Sequence, residues 1–213
     1  MNDIWSHYGH WGTVIVWIVI FGLFLLFIPF NQKSQRRPAS TYFAFITALA
    51  IEMFGIPLSL FFVAWAFGLM LPEGVLWGHT LQQYFGYWGM YIGFLMNLIG
   101  GVLIYLGWKE IYRHYWSKEE GTGELVSHGI YKYVRHPQYT GFFLITLGLI
   151  IHWATLILLI MWPILIISYY RLAKKEEKWM EEQFGEEYLE YKQKTPMFFP
   201  SPRLWLSMSS QDK

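Results

Sequence analysis

Cysteine is absent from the 213 residues. That absence removes disulfides, thiolate metal ligands and a cysteine nucleophile together, and leaves the redox compartment open. Charge is scarce as well: Asp, Glu, Lys and Arg make up 15% of the chain, where a soluble domain carries nearer a quarter. A net charge of +1 gives nucleic acid no electrostatic footing. There is no Gly-rich phosphate loop, no HExxH and no GxSxG, and the seven scattered histidines form no metal motif. Lys and Arg are missing from whole stretches: 1–32, 38–108 and 136–170 hold none.

Apolar and aromatic residues are plentiful. They reach 54% and 21% of the chain, with twelve Trp and a mean hydropathy of +0.28. Many Trp among few charges indicate a membrane protein with aromatic residues at the interfaces. Residues 12–30 are uncharged and long enough for one crossing, which takes about 20 residues. This run lacks a basic flank and a small-residue cleavage site, so it reads as a spanning helix rather than a signal peptide. Residues 41–71 form a longer apolar run, kinked at Gly55-Ile56-Pro57 and interrupted by Glu52. An acid in such a run is either a functional group or a helix-to-helix hydrogen-bond partner, and the second reading is preferred. Residues 84–108 form the third span. Gly89, Gly93, Asn97 and Gly101 recur every four residues along it, a small-residue face that suits close helix packing.

Residues 139–170 are too long for one crossing. His152-Trp153 interrupts them, which predicts a hairpin of two helices over 141–151 and 154–170. Five crossings then put every basic residue on one side: three in 31–40, five in 109–138 and eight in 171–213. By the positive-inside rule that side is cytosolic and the N-terminus is outside. The expected fold is therefore all-α and multi-pass. A three-helix membrane region over 1–108 precedes a core over 109–213. The tail reads as two short helices separated at Gly185, with Glu186 and Glu187 at the favourable end of the second and Thr195-Pro196 as its stop. Its aromatic side (Trp179, Met180, Phe184, Tyr188, Tyr191) could rest on the membrane or cap a site.

One stretch does not suit a lipid-embedded helix: GELVSHGIYKYVRHPQYTG, residues 123–141. Together with the tail it offers Arg135, His136, Tyr131, Tyr139, Arg171 and Glu176 at the membrane edge. Aromatic rings stack on a flat ring or a cation, Glu binds hydroxyls or ammonium, and Arg holds carboxylate or phosphate by two points. These groups suit a zwitterionic, nucleotide-like ligand without naming it.

Two blocks, LVSHGIYKYVRHPQYTG (125–141) and EE (176–177) leading to FGEEYLEYKQKTP (184–196), resemble the isoprenylcysteine carboxyl methyltransferase family. The resemblance covers roughly the C-terminal half. It implies S-adenosylmethionine as methyl donor, held on the cytosolic side between hairpin and tail. By motif position Glu124, Leu125, Val126, Tyr131, His136, Pro137, Gln138, Tyr139 and Glu176 would bind it. Gly123 stands where eukaryotic members have His. The family's substrate-facing Arg aligns with Leu172. Arg171 is one residue away, about 100° around a helix, and Arg135 is the other candidate catalytic arginine. The resemblance implies a lipophilic or small acceptor, with carboxylate or thiol favoured over a phospholipid amine, because an amine must first lose a proton. A sterol-reductase-like enzyme using a nicotinamide cofactor shares the HPxYxG element but not the downstream Glu pair. A non-enzymatic scaffold or transporter would rest on Glu52 and the glycine face.

Overall fold

In the computed structural model, which describes residues 8–27, 33–68, 87–116, 124–153 and 155–200, the apolar runs fold as helices. Helix α1 (Trp11–Gly22) tightens into a 3₁₀ turn at Leu23–Phe27. Helix α2 (Lys33–Ala50) starts inside the basic segment expected to be a loop and continues through a π-helical turn, Ile51–Gly55. It stops at Ile56, which is extended (φ −129°, ψ 123°), because Pro57 disfavours helical geometry in the residue before it. A separate helix, α3 (Leu58–Phe67), follows. The expected single kinked run over 41–71 is thus two helices. Glu52, fully buried, accepts the Ser59 N–H at 3.1 and 3.3 Å and so caps α3. That is the hydrogen-bonding reading of this acid, and it satisfies an orphan donor at the helix start.

Helix α4 (Trp88–Ile111) runs into a second π-helical turn, Tyr112–Trp116. A 3₁₀ turn at Gly129–Lys132 leads to α5 (Pro137–His152), which opens with proline at its first position, where the missing N–H costs nothing. The expected break at His152-Trp153 is present. Thr155 is extended, and its hydroxyl accepts the Leu158 N–H at 3.3 Å to start α6 (Leu156–Phe184). The tail departs from expectation here. Its first helix is no separate piece, because α6 runs unbroken from the apolar stretch into the charged one. No glycine stands between Leu156 and Phe184, and a change from apolar to charged residues does not end a helix. Gly185, with φ +54°, turns the chain into α7 (Glu186–Lys194).

Helices α4 and α5 are antiparallel and closely packed, and glycines set their separation. A Cβ on Gly93 would lie 2.6 Å from the Gly148 carbonyl oxygen, and one on Gly100 would lie 2.6 Å from that of Gly141. One on Gly107 would lie 2.9 Å from the Gln138 side chain. The contact row is therefore Gly93, Gly100 and Gly107, spaced by seven, as in left-handed helix pairs. It is not the four-residue row read from the sequence: Gly101 faces Phe24 instead. Asn97 does lie at the seam, with its Oδ1 against Gly148.

Helix α2 runs antiparallel to both α1 and α6. The Tyr42 hydroxyl donates to the Phe21 carbonyl, and Gly9 and His10 bond back to Gly55 and Phe54. Tyr42 meets Phe142 edge-on, while Ser59 at the other end accepts the Ile157 N–H. Tyr42, Phe45, Ile46, Leu49, Phe142, Ile145, Leu149, Leu165 and Tyr169 fill the shared core. The start of α2, the end of α4, the start of α5 and the charged part of α6 consequently gather at one end of the bundle. Among the described residues, two helices, Trp88–Tyr115 and Leu156–Phe184, are long and apolar enough to cross a membrane. Only 17% of the apolar window in the first is buried, so its Trp88, Tyr91, Phe94, Leu98 and Val102 lie outward. A mostly unburied apolar helix is that of a membrane protein, not the core of a soluble one.

Candidate functional site at the charged end of the bundle

The segment 124–136 crosses over the end of α4 and is tied down at several points. The Tyr131 hydroxyl donates to the Gly107 carbonyl at 3.2 Å. The Tyr191 hydroxyl, from α7, donates to the Tyr131 carbonyl at 2.7 Å. Beyond α7 the chain doubles back along the start of α5. Arg135 and His136 N–H groups donate to the carbonyls of Pro196 and Met197, both at 3.0 Å. The Thr140 hydroxyl donates to the Phe198 carbonyl at 2.6 Å, and the Phe198 ring packs edge-on against Phe143. The two distant polar stretches are thus one structure, with a cavity between them.

Leu125, Val126, Tyr131, Arg135, His136, Pro137, Gln138, Tyr139 and Glu176 all line this cavity. Glu124 stands outside it, exposed, with its N–H on the His114 carbonyl. Arg171 lies on the exposed face of α6 and does not line the cavity, whereas Leu172 is buried. The opposite wall comes from Trp179, Met180, Gln183 and Phe184 of α6, with Tyr188 and Tyr191 of α7. Ile111 and Tyr115, at the end of α4, complete it. Sequence reasoning missed Ile111, Tyr115 and Gln183. The signal for the first two was positional, since they lie four and eight residues beyond Gly107, on the α4 face that meets α5. The Tyr115 hydroxyl donates to Gln183 Oε1 at 2.9 Å and closes the cavity on that side.

Glu176 and Glu177 have different roles. Glu176 faces the cavity and accepts the Tyr139 hydroxyl at 2.7 Å, and the Tyr139 ring stacks parallel on His136. Glu177, not singled out before, points the other way and is 1% exposed. Arg135 Nε and Nη2 donate to its Oε1 at 2.9 and 2.6 Å. Arg135 Nη1 donates to the carbonyls of Lys192 and Thr195. Lys192 Nζ lies 3.3 Å from Glu177 Oε2 and is also paired with Glu181. Arg135 therefore fastens α6 to the end of α7, a positioning role. The bond to Glu181, then Glu177, raises the Lys192 pKa.

The uncharged part of α6 ends at Tyr170, so Glu177 lies about 10 Å beyond it along the axis. Burial alone would raise the Glu177 pKa. Hydrogen bonds from His136 and Arg135, with their charges, overcome that and hold it at about 2. The pair then stabilises the fold fully above about pH 4.5, the ordinary carboxyl value, and that stabilisation is lost as pH falls through 2. The melting temperature of the purified chain should accordingly show no loss from this pair between pH 7 and 5, and a decline below 4.5. Burial first, then neighbouring acids and phenols, raises the Tyr131, Tyr188 and Tyr191 pKa values above the usual phenol range. These hydroxyls are donors at neutral pH, not bases.

The cavity chemistry fits an adenosyl sulfonium ligand. It has a carboxylate in Glu176 and a wall of aromatic rings. Gln138 lines the cavity, and its buried Nε2 has no acceptor among the described residues. A buried donor left without a partner is costly unless a ligand takes it.

A helical membrane protein with an aromatic, acid-bearing cavity at one end is the class that fold and site define. Residues 88–187 match the family model described as phospholipid methyltransferase. Human protein-S-isoprenylcysteine O-methyltransferase is 25% identical over 204 residues, covering 92% of this chain and 66% of the human protein. The Schizosaccharomyces pombe enzyme of that name is 32% identical over 85 residues, covering 39% of this chain and 36% of its own. A probable protein-S-isoprenylcysteine O-methyltransferase of Oryza sativa subsp. indica is 28% identical over 124 residues, covering 54% and 63%. The chain is similar to protein-S-isoprenylcysteine O-methyltransferases over most of its length and in its C-terminal half to the phospholipid methyltransferase family. It spans about two thirds of the human relative's length, and less of the other two. No solved structure matches the chain.

Proposed function

We propose that the chain is an integral membrane methyltransferase that moves the methyl group of S-adenosylmethionine to a lipophilic acceptor. The observation that carries this reading is the cavity itself. Eight of the nine residues that the family resemblance marks for the donor line it together. When bound, S-adenosylmethionine supplies an electrophilic methyl on a positively charged sulfur. Glu176, held by Tyr139, provides the counter-charge and a hydrogen-bond acceptor. Tyr131, Tyr188 and Trp179 offer ring faces to adenine or to the sulfonium. Tyr188 and Tyr191 of α7 close one wall of the cavity and limit the access of water.

An ionised acceptor would form a bond from its oxygen or sulfur to the methyl carbon as the carbon–sulfur bond broke, and the electron pair left on the donor sulfur would cancel the two charges. A carboxylate or thiolate needs no base for this. The cavity phenols are held protonated, so proton removal from an amine has no ready acceptor among them. The relatives' names speak for the carboxylate of a lipidated cysteine. A phospholipid amine is the second reading, favoured by the description of the matching family model. Both fit methyl transfer better than a nicotinamide-dependent or non-catalytic role.

The finer topology belongs to the same proposal. Five crossings, with the N-terminus outside and the cavity and tail cytosolic, are supported by the sequence distribution of basic residues and by the described segments that carry most of them gathering at one end of the bundle. Residues 109–213 then form the methyltransferase core and 1–108 its membrane support. Incubating purified protein with methyl-labelled S-adenosylmethionine and a lipid extract should label an extractable product. Labelling of prenylcysteine with no labelled phospholipid selects the carboxylate, and the reverse selects the amine. No label in either would overturn the reading. Glu176→Gln should weaken donor binding by roughly tenfold to a hundredfold, the range for a lost hydrogen bond to a charged group, measured by calorimetry. Unchanged affinity would remove Glu176 from the donor site.

A further inference from the structure

The structure assembles a cluster that no sequence motif suggested. Glu110 sits in the last turn of α4, His114 in the π-helical turn that follows, and His128 just before the 3₁₀ turn. One ligand atom from each lies within 4.8 Å of the other two. His128 Nε2 is 3.7 Å from Glu110 Oε2, and the two imidazoles meet edge to face at 4.5 Å.

We propose that Glu110, His114 and His128 bind a divalent transition metal. Two imidazoles and one carboxylate are a donor set for zinc and its neighbours, not for calcium or magnesium, which take oxygen. Bonds of about 2.0–2.2 Å to a tetrahedral zinc place neighbouring ligand atoms about 3.4 Å apart. The 3.7 Å separation is already close to that edge, and small rotamer changes close the remainder. The His114 Nδ1 lies 3.0 Å from the Glu110 carbonyl oxygen and 3.7 Å from Glu110 Oε2, so the imidazole is already held against the acid. The π-helical turn supplies the register: it carries His114 while keeping Glu110 on the same side. Gly129 is required next to the cluster, since it has φ +58° and a Cβ there would lie 3.0 Å from the Glu110 carboxyl carbon.

The three ligands join the end of α4 to the segment that continues into Leu125, Val126 and Tyr131. A bound metal would staple that cavity wall to the bundle, with water in the fourth position because His128 is half exposed. The site does not depend on the proposed methyl transfer.

The test uses the full chain, freed of any affinity tag, stripped with chelator and titrated with Co²⁺ in detergent. Expected are visible d–d bands of a low-coordinate site, saturating at one equivalent and lost on adding Zn²⁺. His128→Ala, at a half-exposed position, should weaken Co²⁺ binding at least tenfold, and Glu110→Gln should do the same. Absence of saturable binding at 100 µM Co²⁺, or binding unchanged in both variants, overturns the proposal.

Discussion

Arg135→Ala is expected to undock the tail and abolish donor binding. In the native fold the guanidinium is shared among the Glu177 carboxylate and the carbonyls of Lys192 and Thr195. Its removal leaves a carboxylate that is 1% exposed without its main partner. Breaking one side of a buried pair costs about 3–5 kcal/mol. His136 and Lys192 remain near Glu177, which places the expected loss toward the lower end. Arg135→Lys should recover only part, because one ammonium cannot reach a carboxylate and two carbonyls in the fork's geometry. The measurement is thermal unfolding with limited trypsin digestion. Faster cleavage at Lys192 and Lys194 in the alanine variant marks the undocked tail. Wild-type stability and cleavage would show that the tail is held by something else.

Gly100→Ala should also be destabilising, though less so, from a single added methyl. Its Cβ would meet the Gly141 carbonyl oxygen at 2.6 Å and Ile145 Cγ1 at 2.8 Å. Backbone cannot swing aside as a side chain can, so α4 and α5 must separate. Overpacking of this kind costs about 1–3 kcal/mol, against which alanine's better helix propensity returns about 1. The separation would also draw Ile111 and Tyr115 away from the cavity. Gly101→Ala is the matched control. It meets only the edge of the Phe24 ring, at 3.3 Å, and should be neutral or slightly stabilising. Equal melting temperatures for the two variants would contradict the packing row described.

The contrast between these two glycines shows how far the sequence could be read. A glycine face on α4 was legible, but two overlapping rows, by fours and by sevens, share Gly93. Only the partner helix, with Gly141 and Gly148 also seven apart, decides between them. The hairpin was legible because a polar pair breaks an uncharged run of fixed length. The continuity of α6 was not, because the eye stops at the charges while the helix does not. Within the Glu pair, the family motif marked Glu176. Adjacent helical residues point about 100° apart, so one faces the cavity and its neighbour Arg135. Nothing local could reveal that the 196–198 strand of tail lies against 135–140. Two short irregular segments carry no periodicity, and their pairing is visible only in the backbone bonds they exchange. Glu110, His114 and His128 were hidden for the same reason, being joined by a turn and a crossing segment rather than by a repeat.

The central claim is that two polar stretches, about 50 residues apart, form one donor pocket. The missing cysteines make a direct test simple, because any thiol introduced is unique. Leu125→Cys and Gln183→Cys place reporters on opposite walls of the cavity, and Glu190→Cys places one at an exposed site on α7. S-adenosylmethionine should protect both wall cysteines from a water-soluble thiol reagent and leave the Glu190→Cys thiol reacting at its unliganded rate. Protection of one wall alone, or of neither, would contradict a shared pocket.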